Sequence, residues 1–317
     1  MTTDEIAAVF APHLVETAAG VANGDVRLAH YTRAESAYKI IAGKQVWLRN
    51  SLLMNDFSEI SHGINCLTEA WASPAGINLR DWLDRTRPGL HAGIAKTFDD
   101  HTHGLRSATF MLSLSIHRSD EDDLGRLSMW RAYGGDTGVA LVFNPTVFSN
   151  QTGLLGMASA PVSYRSVPDF VAWFATWVDG LVSAEAALAT LDDPTVLDLF
   201  FRSCRGFALC TKHPGFREER EWRVFHSPLL EEKSDWLTHE VEIIGGVPQE
   251  VVKVSLRDDP TQGVIGLAPV TLLNRVIIGP CDHPVPITHA LFRAMQAGLI
   301  PDPHSIMRVS NIPLRRS

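Results

Sequence analysis

The chain has 317 residues, 45% of them hydrophobic and 20% charged, which supplies a large core and sets it apart from disordered chains. A formal net charge of -8 argues against general affinity for nucleic-acid phosphates, since that requires clustered Lys and Arg. Four cysteines at spacings that fit no zinc pattern, an N-terminus with Asp4 and Glu5 ahead of Ile6, and no apolar run of membrane-spanning length point to a cytoplasmic protein with reduced thiols.

In chain order, Thr2-x-x-Glu5 is a capping-box pattern opening an amphipathic helix over 2–18, with Ile6, Val9, Phe10 and Leu14 at helical spacing. Leu28-Ala29-His30-Tyr31 reads as a short strand, after which Thr32-x-x-Glu35 caps a helix that closes at Gly43. Gln45 to Leu48 is a second strand, and Asp56 and Glu59 cap a helix over 57–72. A further helix is expected over about 79–100, then a buried strand at Thr109–Ser115. Met129 to Tyr133 is an aromatic segment, separated by the Gly134-Gly135 turn from a strand at Gly138–Phe143.

Two long helices follow in an insertion over about 168–211. The first carries Phe170, Trp173, Phe174, Trp177, Val178 and Leu181 as one stripe; the second is capped at Asp193-Pro194. Strands are expected at Glu219–Phe225, Leu237–Ile244, Val251–Leu256 and Val276–Ile278, with a helix near 286–297 and an edge strand at Ser305–Val309. Strands scattered among helices without regular βαβ alternation give an α+β fold with a mixed or antiparallel sheet core, drawn as a single domain over 1–317.

The most unusual run is Phe216-Arg-Glu-Glu-Arg-Glu-Trp-Arg-Val-Phe225. A strand beginning at Glu219 puts Glu219, Glu221 and Arg223 on one face. Two adjacent carboxylates beside an arginine suit a site that meets a substrate hydroxyl or a developing cation, and equally a cross-strand ion-pair ladder on a solvated face. His30 falls at a strand end. Trp130 and Tyr133, at i and i+3, offer either a wall for a flat ring or ordinary core packing. Asn55, Asp56, Glu59 and His62 have the look of a metal set, although Asp56 and Glu59 also serve as helix caps. Phosphate-loop, dinucleotide, nucleophile-elbow and zinc-peptidase motifs are absent from the sequence.

Taken in order, seven segments resemble a widespread bacterial family known only as a numbered domain of unknown function. They are His30-Tyr31-Thr32; Trp47-Leu48 with Asn55, Asp56 and Glu59; Ser113-Leu-Ser115; Met129-Trp130-x-x-Tyr133 with Gly138–Phe143; Glu219-x-Glu221-Trp222-Arg223; Val276–Pro280; and Ser310–Arg315. A more distant resemblance is to ADP-ribosyltransferases of the bacterial type with a His, Tyr, Glu triad. That resemblance implies a split-sheet variant of the fold and NAD as substrate, with no metal. His30 would bind a ribose hydroxyl, Tyr133 or Tyr31 would stack on nicotinamide, and Glu221 would hold the nicotinamide ribose. Glu219-x-Glu221 looks like the paired glutamates of the arginine-modifying branch, and Arg131 or Arg223 would meet the pyrophosphate, with Trp130 beside the ring. A clear Ser-Thr-Ser strand is missing.

These readings converge on an NAD-consuming transferase or glycohydrolase, a toxin or defence effector, with Glu219, Glu221 and Tyr133 as catalytic residues. The alternatives are a non-catalytic nucleotide- or protein-binding module and a metal-dependent nuclease. On the catalytic reading, Glu221→Gln is expected to abolish turnover while moving the melting temperature by no more than a few degrees.

Overall fold

The computed structural model describes residues 2–13, 15, 20, 26–54, 59–149, 153–231 and 233–314, apart from the side chains of 3, 59 and 149. Asn55, Asp56, the Glu59 side chain, Arg315 and Arg316 therefore lie outside the described residues. The fold is α+β, with a mixed, largely antiparallel sheet and many helices. The chain divides into two compact units.

The first unit comprises 1–18, 50–109 and 160–217. It is built on helices Thr3–Phe10, Glu59–Ala72, Pro74–Thr86, Leu90–Ser107, Val167–Ser183 and Asp193–Cys210. The helices Val167–Ser183 and Asp193–Cys210, expected as an insertion, belong to this unit. Its core gathers Phe10, Phe200 and Phe207 with Phe170, Phe174, Trp177, Val178 and Leu181, the last five being the expected stripe of the Val167–Ser183 helix less the half-buried Trp173. The Glu59–Ala72 and Asp193–Cys210 helices approach so closely that a Cβ at Gly63 would fall 2.2 Å from the Ala208 carbonyl oxygen.

The capping box on Thr2 and Glu5 is present, with Glu5 N–H donating to Thr2 Oγ1 and Thr2 N–H to Glu5 Oε2; this helix closes at Phe10, Pro12, His13 and Val15 are helical again, and Leu14 and residues 16–18 of the expected helix lie outside the described residues. The expected 79–100 helix is two, broken at Arg87-Pro88-Gly89, where Gly89 takes a φ of 86°. The cap of the last helix falls on Asp192, whose carboxylate accepts from Thr195 N–H, one residue before the expected position.

The second unit comprises 19–49, 110–159 and 218–317. Its strands are β1 (Arg27–Arg33), β2 (Gln45–Asn50), β3 (Phe110–His117), β4 (Gly138–Phe143) and β5 (Ala158–Pro161), the last of which begins here. After β6 (Ser163–Tyr164) and β7 (Thr211–Lys212), which form a small parallel pair of their own, come β8 (Glu221–His226), β9 (Leu237–Ile244), β10 (Val247–Ser255), β11 (Leu273–Ile278) and β12 (Met307–Val309). The main sheet runs β12-β11-β4-β1-β3-β2-β10-β9, with β8 and then β5 branching from β3. β11 and β12 pair in parallel, whereas the β1–β3, β1–β4, β2–β10, β9–β10, β4–β11 and β3–β8 ladders are antiparallel, and β12 is the edge strand expected near the end of the chain.

Thr32 does not cap a helix. It belongs to β1, opposite Val139, and the helix Ala34–Gly43 starts without a side-chain cap. The strand runs on to Arg33, which takes the extended N-cap position and has no short side-chain oxygen to cap with.

β3 is the branch point. Ser115 pairs with Glu221 of β8 on one side and Ala29 of β1 on the other, so those strands occupy opposite edges. The β1 ladder covers only Arg27, Leu28 and Ala29, against His117, Ile116 and Ser115. Since β8 fills the opposite edge from Phe110 to Ser115, β2 takes up the remainder of the edge that β1 leaves. β1 and β3 part at His30.

Candidate functional site

Five of the eight residues singled out in the sequence meet around Ser113-Leu114-Ser115 of β3, all within the second unit. One residue past the last β1 residue paired with β3, His30 Nδ1 lies 3.1 Å from the Ser113 carbonyl oxygen. A carbonyl oxygen can only accept, so Nδ1 carries the proton and Nε2 is left as an acceptor. Nε2 has no hydrogen-bond partner among the described residues. Burial pushes the His30 pKa below its ordinary value, against the opposing effect of the Ser113 hydrogen bond. At neutral pH the site therefore contains an uncharged imidazole with a lone pair to offer.

Burial also lowers His117, against hydrogen bonding to Asp122, and takes His13 of the first unit down to about 4. Groups held neutral in the fold protonate more readily when unfolded, so their contribution is complete above the ordinary histidine value and is lost as pH falls from there to the lower folded value. The melting temperature is expected to decline between pH 7 and pH 5. His30→Gln should make that decline shallower, and an unchanged slope would show that His30 is not held neutral.

The Ser113 hydroxyl donates to Glu221 Oε1 at 2.6 Å. The same carboxylate takes Arg223 Nε at 2.8 Å on Oε1 and Arg223 Nη2 at 3.1 Å on Oε2. Glu221 is 3% exposed and Arg223 0%, so the arginine is a buried brace for the glutamate. The pair is buried, which corrects the picture of a solvated ion-pair ladder; Arg223, expected from the resemblance to meet a pyrophosphate, is placed against Glu221.

The expected strand start at Glu219 is also corrected. Residues Pro214–Glu219 form 3-10 turns, Arg220 takes a left-handed φ of 45°, and β8 begins at Glu221. Strand alternation needs extended backbone, so the left-handed residue takes Glu219 out of register with Glu221. Tyr133 Oη donates to Glu219 Oε1 at 2.6 Å, and both side chains are partly exposed. Tyr133 sits on a π-helical turn, Trp130–Gly134, a form that often marks functional positions.

Arg126 holds this junction together. Its Nη1 donates to Glu218 O at 2.8 Å and its Nη2 to Glu219 O at 3.0 Å and to Ser115 Oγ, while Ser115 Oγ donates to Glu219 O at 2.6 Å. Its backbone N–H donates to Tyr31 Oη at 3.0 Å. Glu121 accepts from Arg220 and lies 3.7 Å from Arg126 Nε.

Sequence patterns did not single out Arg126, and Ser113 and Ser115 entered only as a segment of the resemblance. The three remaining candidates stand differently. Trp130 is buried, donates to Leu124 O at 2.8 Å and meets Tyr31 edge-on at 4.8 Å; a Cβ at Gly279 would strike its ring at 2.7 Å. Tyr31 is likewise a buried core ring. Arg131 is exposed, with no ion pair or hydrogen bond among the described residues.

His62 of the metal set bonds the Arg165 carbonyl at 3.0 Å, and the rest of that set lies outside the described residues. Among the described residues no group of three or more His, Cys, Asp or Glu is arranged to hold a metal ion, and no helix is long and apolar enough to cross a membrane. None of the four cysteines forms a disulfide, and burial raises the Cys66 and Cys204 thiols to about 11 and about 12.

Residues 129–224 match a family described as "Protein of unknown function (DUF2971)". That stretch contains Trp130, Tyr133, Glu219, Glu221 and Arg223. No curated protein and no solved structure matches the chain.

Proposed function

We propose that the site cleaves NAD between ribose and nicotinamide, as an ADP-ribosyltransferase-like enzyme or an NAD glycohydrolase. The observation that carries this reading is that His30 and Glu221, from different strands, both bond to Ser113 where β1 and β3 part. Breaking the glycosidic bond passes through an oxocarbenium-like state, which a fixed carboxylate stabilises. Neutral His30 offers Nε2 to a ribose hydroxyl, and the Tyr133–Glu219 pair flanks the glutamate junction. NAD is the substrate, the acceptor is water or a nucleophile on another molecule, and no metal takes part.

A second reading, a non-catalytic nucleotide- or protein-binding module, has its own support: Glu221 is almost wholly buried and braced by Arg223. Incubation with NAD, following free nicotinamide with and without chelator, separates the two. Release that survives chelation is the expected result. Release that stops with chelator turns the assignment toward metal chemistry, and absence of release under both conditions removes the enzymatic reading.

A further inference from the structure

β9 closes one end of the main sheet. It pairs with β10 from Leu237–Val254 to Ile244–Val247, across a two-residue turn of Gly245 and Gly246, at φ 59° and 82°. Such a turn demands positive φ at both positions and suits glycine. The other edge of an antiparallel strand presents N–H and C=O groups at alternate residues, a template for an added strand.

Strand alternation sorts the side chains of β9. His239, Val241 and Ile243 share one face, and Thr238, Glu240 and Glu242 share the other. Val241 is 71% exposed, Ile243 70% and, across the turn, Val247 51%. An apolar row on an open edge is unusual unless something covers it.

Charge identifies the kind of occupant. The hairpin carries three carboxylates, Glu240, Glu242 and Glu250, against one ammonium, Lys253. Lys253 bonds Glu240 at 2.6 Å and Glu242 at 2.5 Å, and Glu250 accepts from His239 at 3.0 Å.

A second copy is a poor match. Two-fold antiparallel pairing centred on Val241 sets Glu240 of each copy against Glu242 of the other, and centring on Glu240 or Glu242 sets that residue against itself. Like charges directly opposite are destabilising. A strand with cations on the glutamate face and apolar side chains beside Val241 and Ile243 satisfies both rows.

We infer that the edge of β9 that pairs with no strand among the described residues is a docking site for an extended segment of another protein in which Lys or Arg alternates with apolar residues. The added strand takes its affinity from main-chain hydrogen bonds and its selectivity from the two side-chain rows. This surface is independent of the NAD reading.

The probe is a fluorescently labelled peptide of alternating lysine and valine, as long as β9, read by anisotropy against the intact chain. Saturable binding that weakens with added salt is expected. The alternating glutamate and valine peptide should fail to bind. Ile243→Lys, at an exposed position that leaves the melting temperature unchanged, should weaken binding about tenfold by placing a like charge on the edge. Absence of saturable binding, equal binding of the acidic peptide or indifference to Ile243→Lys would overturn the inference. So would a concentration-dependent dimer that the lysine peptide dissolves, since that outcome makes a second copy the occupant.

Discussion

Glu221→Gln is expected to lower the melting temperature by about 10 °C, because removing one member of a buried ion pair costs about 3 kcal/mol. The glutamine keeps a hydrogen-bond acceptor for Ser113 but loses the charge that offsets Arg223, and Arg223 is 0% exposed. This replaces the sequence-based expectation of a shift limited to a few degrees, which did not count a fully buried arginine paired with the glutamate. The apolar double variant Glu221→Leu with Arg223→Met should recover most of the loss, since desolvation opposes the buried pair as strongly as attraction favours it. Thermal denaturation of the wild type and both variants decides the matter. A single variant as stable as the wild type would mean that the arginine does not depend on Glu221 for its charge balance. Loss of nicotinamide release in Glu221→Gln is therefore open to two causes, and must be read beside the fraction folded.

Much of the scaffold was legible because it rests on local patterns. Helix faces such as Phe170, Phe174 and Trp177, the strand Leu237–Ile244 and the Thr2 capping box depend on spacings of a few residues. The convergence of His30, Tyr133, Glu219 and Glu221 on one neighbourhood was legible only as a resemblance, since it depends on how β1, β2 and β8 share the edges of β3. No spacing rule encodes that division. Strand alternation misplaced Glu219 because Arg220, a residue type with no preference for positive φ, adopts it. Arg126 escaped notice for a different reason. Most of its partners are the main-chain carbonyls of 218 and 219 and a serine hydroxyl, and carbonyls carry no residue-type signal.

Glu219→Gln is expected to lower nicotinamide release about 100-fold, the scale on which loss of one preorganised electrostatic contact to a transition state is felt. Its melting temperature should stay close to that of the wild type, in contrast with Glu221→Gln. The difference follows from position. Glu219 is partly exposed and precedes the sheet, its carboxylate accepts from Tyr133 Oη, and glutamine retains an oxygen to accept that bond. Arg126 and Ser115 hold the backbone of Glu219 through its carbonyl and so survive the side-chain change. Charge is then the one property removed from a group that solvent and substrate can reach. A carboxylate that acts on the developing oxocarbenium affects kcat, whereas one that merely binds NAD affects KM. The expected pattern is a fall in kcat at nearly constant KM, with Tyr133→Phe showing a smaller loss because the carboxylate remains. A Glu219→Gln variant that keeps kcat within twofold of wild type would take Glu219 out of the chemistry and leave its bond to Tyr133 as a brace between the π-helical turn and the start of β8.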